Sequence, residues 1–225
     1  MSKIPTRRSF LLYCATLLLA IPLLPAAAAP AAAAVPAART ILFFGDSLTA
    51  GYGLEDPAAE SYPARIGEKL KTAYPKWKII NAGLSGETTS AGLRRIDWVL
   101  RQPVDLLVLA LGGNDGLRGI AAPLTKTNLE AIVAKTRAKN PKAVIVLSGM
   151  KMPASMGTYA ADFSAVYAGL AAADPSLVFL PFLLEGVGGE AALNQADAIH
   201  PNAEGHRRMA DHVWKTLEPL VRAES

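Results

Sequence analysis

The fold of this chain is decided by the stretch Ile41-Leu42-Phe43-Phe44-Gly45-Asp46-Ser47. Its four apolar residues form a continuous run of strand length, which is typical of a strand buried on both faces of a sheet. A glycine and two polar residues follow at once. The sequence therefore predicts a buried strand that ends beside a polar turn.

Four further apolar runs of strand length follow along the chain, and amphipathic stretches separate them. These runs cover residues 77–80, 106–111, 144–147 and 177–180. In the stretches between them apolar residues recur three or four positions apart, as in Tyr62, Ile66 and Leu70, which predicts helices. Alternating strands and helices predict an α/β fold, a three-layer α/β/α sandwich around a five-stranded parallel sheet.

Residues 1–38 have the composition of an export segment. The basic residues Lys3, Arg7 and Arg8 come first, an apolar stretch follows, and alanine and proline dominate the rest. This order predicts a secretory signal peptide. The paired arginines fit a twin-arginine signal, with an ordinary Sec signal as the alternative. We expect residues 39–225 to form a single domain that is exported to the periplasm or secreted.

The leader accounts for most of the net positive charge of +4. The chain has 23 Lys and Arg against 19 Asp and Glu, and three of the basic residues lie in the leader, so the remainder is nearly neutral and predicts no nucleic-acid partner. The single cysteine, Cys14, also lies in the leader, which excludes disulfides from the domain. The leader's apolar stretch is shorter than the roughly 20 residues of a membrane span. We expect a monomer without a stable span after processing.

Polar residues follow the carboxyl ends of the predicted strands, where function gathers in an open parallel sheet. The first strand leads to Ser47, the loop after the second contains Gly86, and the third leads to Asn114. Asp197 and His200 follow the fifth strand across a glycine-containing loop. We therefore expect these five residues to meet at one edge of the sheet.

The five residues have the chemistry of nucleophilic catalysis. A serine hydroxyl is a good nucleophile only when an imidazole accepts its proton, and a carboxylate must hold that imidazole in one tautomer. Ser47, His200 and Asp197 are these three groups. The tetrahedral intermediate needs preorganised donors, which the N–H groups of Ser47 and Gly86 and the amide of Asn114 would supply. Gly83 is the alternative glycine.

Apolar residues in loops at the same edge are candidates for the wall that receives the substrate. They are Leu117, Ile120, Met150 and Met152. Methionine is flexible enough to line a pocket for acyl chains, although ordinary packing is the alternative. We expect the ligand to be a small-molecule ester or a lipid.

Other titratable residues near these motifs are expected to have structural roles. We assign Asp46 and Asp115 to hydrogen bonding within their loops. His206 and His212 are interpreted as surface or partly buried residues of the last helix. Histidines and carboxylates are not clustered at ligand spacing, so no metal site is predicted.

Four motifs resemble, in order, the sequence blocks of the SGNH hydrolase superfamily, also called the GDSL family. The motifs are Gly45-Asp46-Ser47-Leu48, Gly86, Gly112-Gly113-Asn114-Asp115 and Asp197-Ala198-Ile199-His200. The chain is most similar to the bacterial periplasmic arylesterases and the multifunctional thioesterase/lysophospholipase branch. The resemblance implies a flavodoxin-like sheet, no cofactor, and the nucleophile, oxyanion and triad roles given above.

The expected activity is hydrolysis of carboxylic esters through an acyl-enzyme, with thioesters and lysophospholipids as further candidate substrates. One alternative is a carbohydrate O-deacetylase on the same scaffold, which would favour acetyl groups and a polar cleft. The other is an exported protein that binds lipid without catalysis.

Overall fold

The computed structural model describes residues 38–224, so the predicted signal peptide and Cys14 lie outside the described residues. A five-stranded sheet has the order β2-β1-β3-β4-β5, and every neighbouring pair is parallel. The strands are β1 (Arg39–Gly45), β2 (Trp77–Asn81), β3 (Leu106–Ala110), β4 (Val144–Ser148) and β5 (Leu177–Leu180). The five predicted strands and the parallel sheet are confirmed.

Helices cover the sheet in two groups. The helices are α1 (Ser47–Ala50), α2 (Pro57–Glu60), α3 (Tyr62–Ala73), α4 (Thr89–Val99), α5 (Gly113–Leu117), α6 (Ala122–Lys139), α7 (Thr158–Ala173) and α8 (Ala203–Ala223). Helices α3 and α8 pack together, and α6 packs against both α4 and α7. The two groups and the sheet form the predicted three-layer sandwich. Between residues 38 and 224, no helix combines the length and the apolar character needed to cross a membrane.

The central strands form the core of the domain. Every residue of β3 is buried, and β1 and β4 are buried except at their first residues. The edge strands β2 and β5 are only partly buried, because each has a neighbouring strand on one side alone. Continuous apolar runs in the sequence therefore mark the strands that helices cover on both faces.

Side-chain caps explain where several helices begin. Asp46 caps α1, Ser61 caps α3 and Thr88 caps α4, each by accepting a hydrogen bond from a backbone N–H of the first turn. Such a cap satisfies a donor that the helix itself leaves unpaired, and it stabilises the helix by about 1 kcal/mol. For α1, the capping residue immediately precedes Ser47.

The short helices α1 and α5 follow the adjacent strands β1 and β3 almost directly. These strands meet where the direction of winding changes, which is the usual ligand position in an open α/β sheet. Gly45 makes the close turn possible, because a β-carbon at this position would lie 2.8 Å from the carbonyl oxygen of Ala110. Ser47 and Asn114 are therefore brought together by the sheet order.

Phe43 provides a test of the core, since its side chain is 0% exposed. We expect Phe43→Ala to lower the free energy of unfolding by about 3–5 kcal/mol, because it removes buried surface and leaves a cavity. The matched control is Trp98→Ala on α4, where the side chain is 62% exposed and a change within about 0.5 kcal/mol is expected. Urea unfolding followed by circular dichroism measures both. Equal changes for the two variants would contradict this description of the core.

Candidate active site

Ser47, His200 and Asp197 form a continuous chain of hydrogen bonds. The Nε2 atom of His200 lies 2.9 Å from the Oγ atom of Ser47, and its Nδ1 atom lies 2.6 Å from Oδ2 of Asp197. The two ends of this chain come from α1 and from the loop between β5 and α8, 153 residues apart in the sequence. An imidazole held in this way can accept the hydroxyl proton of the serine.

The loop that carries Asp197 and His200 is held by a tight local turn. Oδ1 of Asp197 accepts the backbone N–H groups of Ile199, at 2.9 Å, and of His200, at 3.0 Å. Ala198 between them has a φ of 58°, a left-handed conformation that non-glycine residues seldom adopt. Such backbone strain persists only where the surroundings impose it. The carboxylate is therefore oriented by its own turn before it contacts the imidazole.

Hydrogen bonds keep the carboxyl group of Asp197 ionised. The backbone N–H and the imidazole of His200, together with the N–H of Ile199, lower the pKa of Asp197 to about 2. The group is consequently an anion throughout the neutral range. An anion at this position favours the tautomer of His200 that carries its proton on Nδ1 and leaves Nε2 free to accept.

Two residues that the sequence did not indicate support His200 from outside the motif. The side-chain amide of Gln195 donates to the carbonyl oxygens of Tyr52, at 2.7 Å, and of Pro201, at 3.0 Å, and so ties the histidine loop to the segment after α1. The ring of Tyr52 lies 4.7 Å from the ring of His200. Neither contact has a local sequence signal, because each joins segments far apart in the chain.

Asp46 lies buried beneath Ser47 and is 1% exposed. One of its carboxylate oxygens accepts the N–H of Leu48 at 3.1 Å, and the other accepts the side-chain amide of Asn114 at 3.4 Å. Burial raises the pKa of Asp46 to about 6, although the N–H of Leu48, the charge of His200 and the amide of Asn114 oppose this shift. Asp46 was expected to form hydrogen bonds only within its own loop. Its bond to Asn114 extends further and joins the turn that contains Ser47 to the turn that contains Asn114.

Gly83 and Gly86 have different reasons to be glycine. A β-carbon on Gly83 would lie 2.2 Å from the backbone nitrogen of Ala50, so Gly83 allows its loop to approach α1 closely. Gly86 has a φ of +78° and more space around it. Among residues 38–224, the N–H groups of Gly86 and Ser47 have no hydrogen-bond acceptor. Both are therefore available to a ligand.

The side-chain amide of Asn114 connects three parts of the site. Its Nδ2 atom donates to the carbonyl oxygen of Glu87 at 3.1 Å as well as to Asp46. Its Oδ1 atom accepts from Arg118 at 3.5 Å, and the same guanidinium nitrogen donates to the carbonyl oxygen of Gly86 at 3.1 Å. The four sequence motifs are thus joined by hydrogen bonds around Ser47.

A buried ion pair holds the loop that contains Gly86. Nε of Arg95 donates to Glu87 at 2.7 Å, and Nη2 donates to the carbonyl oxygen of Ala82, also at 2.7 Å. Glu87 is 3% exposed, and the guanidinium of Arg95 lies 4.6 Å from the ring centroid of Phe44. The pair fixes both ends of the loop against the core.

The four predicted wall residues differ in their exposure. Leu117 is exposed, Ile120 and Met152 are half-buried, and Met150 is part of the core. Met152 packs over Gly116, where a β-carbon would lie 2.2 Å from its sulfur atom. Leu117 is therefore the member of this set that is most open to a ligand.

Exposed apolar residues that the sequence did not assign to the wall border each part of the site. Tyr52 lies beside His200, Ile199 immediately precedes it, and Leu84 lies two residues before Gly86. Cavities of about 450 Å³ and 260 Å³ lie elsewhere in the domain and contact neither Ser47 nor His200. The hydrogen-bonded residues thus open onto an apolar rim.

The remaining histidines have structural contacts. His206 is 1% exposed, so the prediction of a surface or partly buried residue is wrong at this position. Its Nδ1 atom accepts the N–H of Tyr62 at 3.2 Å, and burial is the main cause that lowers its pKa to about 4. His212 is half-buried and contacts the carbonyl oxygen of Phe182. The described residues contain no group of three or more histidines and carboxylates that could hold a metal ion.

Comparison with known proteins places this chain in a family. The model of the GDSL-like Lipase/Acylhydrolase family matches residues 43–208. The chain belongs to this family. The resemblance predicted from the four motifs is therefore confirmed.

Curated relatives of the family match most of the chain. Esterase TesA of Pseudomonas aeruginosa is 38% identical over 187 residues, which cover 82% of this chain and 90% of that protein. Thioesterase 1/protease 1/lysophospholipase L1 of Escherichia coli K12 is 38% identical over 191 residues, covering 84% and 88%. Arylesterase of Vibrio mimicus is 32% identical over 183 residues, covering 80% and 89%. The crystal structure of TesA matches with a TM-score of 0.76 at 38% identity, covering 81% of this chain and 99% of that one.

The buried carboxyl group of Asp46 predicts a pH dependence of stability. Burial raises its pKa from 3.8 to about 6, so the folded protein binds this proton more tightly than the unfolded chain does. Wild-type stability relative to Asp46→Asn should therefore fall by about 2 kcal/mol as the pH rises from about 4 to about 6. Asparagine also caps helices, so the variant should fold. Denaturant titrations across this range measure the difference, and parallel stability curves for the two proteins would contradict the prediction.

Proposed function

We propose that this chain hydrolyses carboxylic esters through a covalent acyl-enzyme on Ser47. The observation that carries the proposal is the hydrogen-bond chain from Ser47 through His200 to Asp197, with distances of 2.9 and 2.6 Å. The names of the relatives, an esterase, an arylesterase and a thioesterase/lysophospholipase, support the same reaction class.

The reaction proceeds in two acyl transfers. Oγ of Ser47 attacks the ester carbonyl carbon while Nε2 of His200 takes the hydroxyl proton, and the ionised Asp197 stabilises the imidazolium that forms. The tetrahedral intermediate collapses, His200 returns the proton to the leaving alcohol, and an acyl-enzyme remains. Water then attacks the acyl group with His200 again as base, and this step releases the acid and regenerates Ser47.

Three donors are proposed to stabilise the anionic oxygen of the intermediate. The N–H groups of Ser47 and Gly86 have no acceptor among the described residues and can bind it without breaking an existing bond. Asn114 donates to Glu87 at 3.1 Å and to Asp46 at 3.4 Å. The bond to Asp46 is longer and therefore weaker. We propose that Asn114 exchanges this bond for a hydrogen bond to the oxyanion.

The apolar rim favours esters with an apolar acyl or aryl group. Tyr52, Leu84, Leu117 and Ile199 are each about half exposed and lie next to the proposed catalytic residues. Apolar groups of a substrate would cover this surface and remove it from water. Thioesters and lysophospholipids present a similar carbonyl and belong to the proposed range. A carbohydrate O-deacetylase would instead favour acetyl groups and a polar cleft.

The nucleophile and the oxyanion donor can be tested by substitution. We expect Ser47→Ala to lower turnover of 4-nitrophenyl butyrate by roughly 10⁶-fold, because the covalent step is lost. Asn114→Ala should lower it by roughly 10²–10³-fold, the usual loss for one oxyanion donor. The matched control is Ser155→Ala in the exposed 3₁₀ turn Ala154–Met156, which should keep wild-type activity. A kcat within a few-fold of wild type for Asn114→Ala would remove Asn114 from the oxyanion site.

A chain-length series separates the proposal from its alternatives. Purified protein is given 4-nitrophenyl acetate, butyrate, octanoate and palmitate, with Ser47→Ala alongside. Higher activity on butyrate or octanoate than on acetate supports an esterase with an apolar acyl site. A sharp preference for acetate favours the deacetylase, and the absence of activity that depends on Ser47 favours lipid binding without catalysis.

We propose further that residues 1–38 direct export to the periplasm or the medium, and that residues 39–225 act there as a monomeric hydrolase domain. The support is the order of basic, apolar and small residues in the leader. Light scattering of the purified domain tests the monomer.

The twin-arginine interpretation makes its own prediction. Replacing Arg7 and Arg8 together by lysine should leave the unprocessed protein in the cytoplasm, because the twin-arginine route requires both arginines. Cell fractionation with mass measurement of the product gives the result. Normal export and cleavage of the double variant would instead assign the leader to the Sec route.

A further inference from the structure

Arg118 is an exposed residue at the end of α5 that contacts two of the proposed oxyanion residues. Its Nη2 atom donates to the carbonyl oxygen of Gly86 at 3.1 Å and to Oδ1 of Asn114 at 3.5 Å. These bonds hold one edge of the guanidinium against the site. Within residues 38–224, the other two guanidinium nitrogens, Nε and Nη1, have no hydrogen-bond partner.

The charge of Arg118 is not neutralised by an ion pair in the described part of the chain. Arg95, on the other side of the Gly86 loop, is paired with the buried Glu87. Arg207 and Arg208 of α8 are both paired with Glu204. Arg118 therefore presents an available positive charge to a ligand at the reacting carbonyl.

Two exposed leucines lie on the two loops that meet at Arg118. Leu117, the preceding residue, is 48% exposed, and Leu84, close to Gly86, is 50% exposed. A ligand that covers these leucines would also displace water from the guanidinium. Charge interactions strengthen when water is excluded, and a guanidinium N–H forms charge-assisted hydrogen bonds to carboxylate or phosphate oxygens.

We infer that Arg118 is a specificity-determining residue that binds an anionic group, a carboxylate or a phosphate, carried by the ester a few bonds from its carbonyl. The inference rests on the proposed function, because it places the ester oxygen between Gly86 and Asn114. The competing interpretation is that Arg118 only braces these two residues. A brace would affect neutral and anionic esters equally, whereas a binding residue discriminates between them.

Matched substrates test the inference on both sides of the ester bond. On the acyl side, mono(4-nitrophenyl) glutarate is compared with 4-nitrophenyl valerate, which has a methyl group in place of the carboxylate. On the alcohol side, a lysophosphatidic acid is compared with the monoacylglycerol of the same chain. The variants are Arg118→Gln and Arg118→Lys, and the control is Arg101→Gln, an exposed arginine in the turn before β3.

The measured quantity is the ratio of kcat/KM for the anionic ester to kcat/KM for the neutral ester. For at least one pair, we expect Arg118→Gln to lower this ratio roughly tenfold, because a charge-assisted hydrogen bond is lost. The change should lie mainly in the KM of the anionic ester. Arg118→Lys should retain part of the ratio, and Arg101→Gln all of it. Added salt should reduce the wild-type ratio and leave that of Arg118→Gln unchanged. The pair that responds identifies the side of the ester that carries the anion.

Two results would contradict a role of Arg118 in binding an anionic group. An equal fall in kcat on both members of each pair makes Arg118 a brace, and ratios that stay at the wild-type value in both pairs remove it from substrate recognition. Either result overturns the inference while hydrolysis through Ser47 stands. Loss of the proposed function itself is recognised separately, by wild-type protein that shows no activity dependent on Ser47 on the neutral esters.

Discussion

Asp46 carries a carboxylate into the interior at the point where β1 ends, and its two oxygens accept hydrogen bonds from different parts of the chain. One bond caps the short helix that begins with Ser47, and the other holds the amide of Asn114 after β3. Removing a charged group from water is costly, and it persists here because both oxygens are bonded. The relative position of the serine and asparagine turns depends on this buried group.

The site contains two carboxylates near one imidazole, and their environments differ. Asp46 is desolvated, which raises its pKa, whereas Asp197 is partly exposed and accepts three hydrogen bonds, which lower its pKa. The carboxylate that contacts His200 is thus the one that remains ionised most readily. The divergent pKa values accompany different contacts: Asp197 hydrogen-bonds the imidazole of His200, and Asp46 hydrogen-bonds the backbone of α1 and the amide of Asn114.

The strands and the meeting of the motifs could be predicted from the sequence because both depend on local composition. Buried parallel strands have continuous apolar runs, and the carboxyl ends of such strands share one edge. The short helices α1 and α5 could not be predicted, since four or five residues are too few to show a helical period. The burial of Met150 and His206 could not be predicted either. The local sequence around a loop methionine or a helix histidine does not show which residues pack over it.

Contacts between residues far apart in the sequence were the main feature of the site that could not be predicted. Gln195 reaches a carbonyl 143 residues earlier, and nothing beside Gln195 in the sequence indicates that partner. The ring contact between Tyr52 and His200 and the hydrogen bond from Arg95 to Ala82 likewise have no signal in the neighbouring sequence. These contacts hold the motif residues in place, although the motifs alone already predict the type of reaction.

The apolar rim around Ser47 has a consequence for selectivity. A chain that lies along such a surface buries only part of each methylene, and each carbon gains less than the roughly 0.8 kcal/mol of full enclosure. For a substrate that lies along this rim, affinity is therefore expected to rise gradually with chain length. Burial on such a surface distinguishes poorly between acyl groups that differ by one or two carbons.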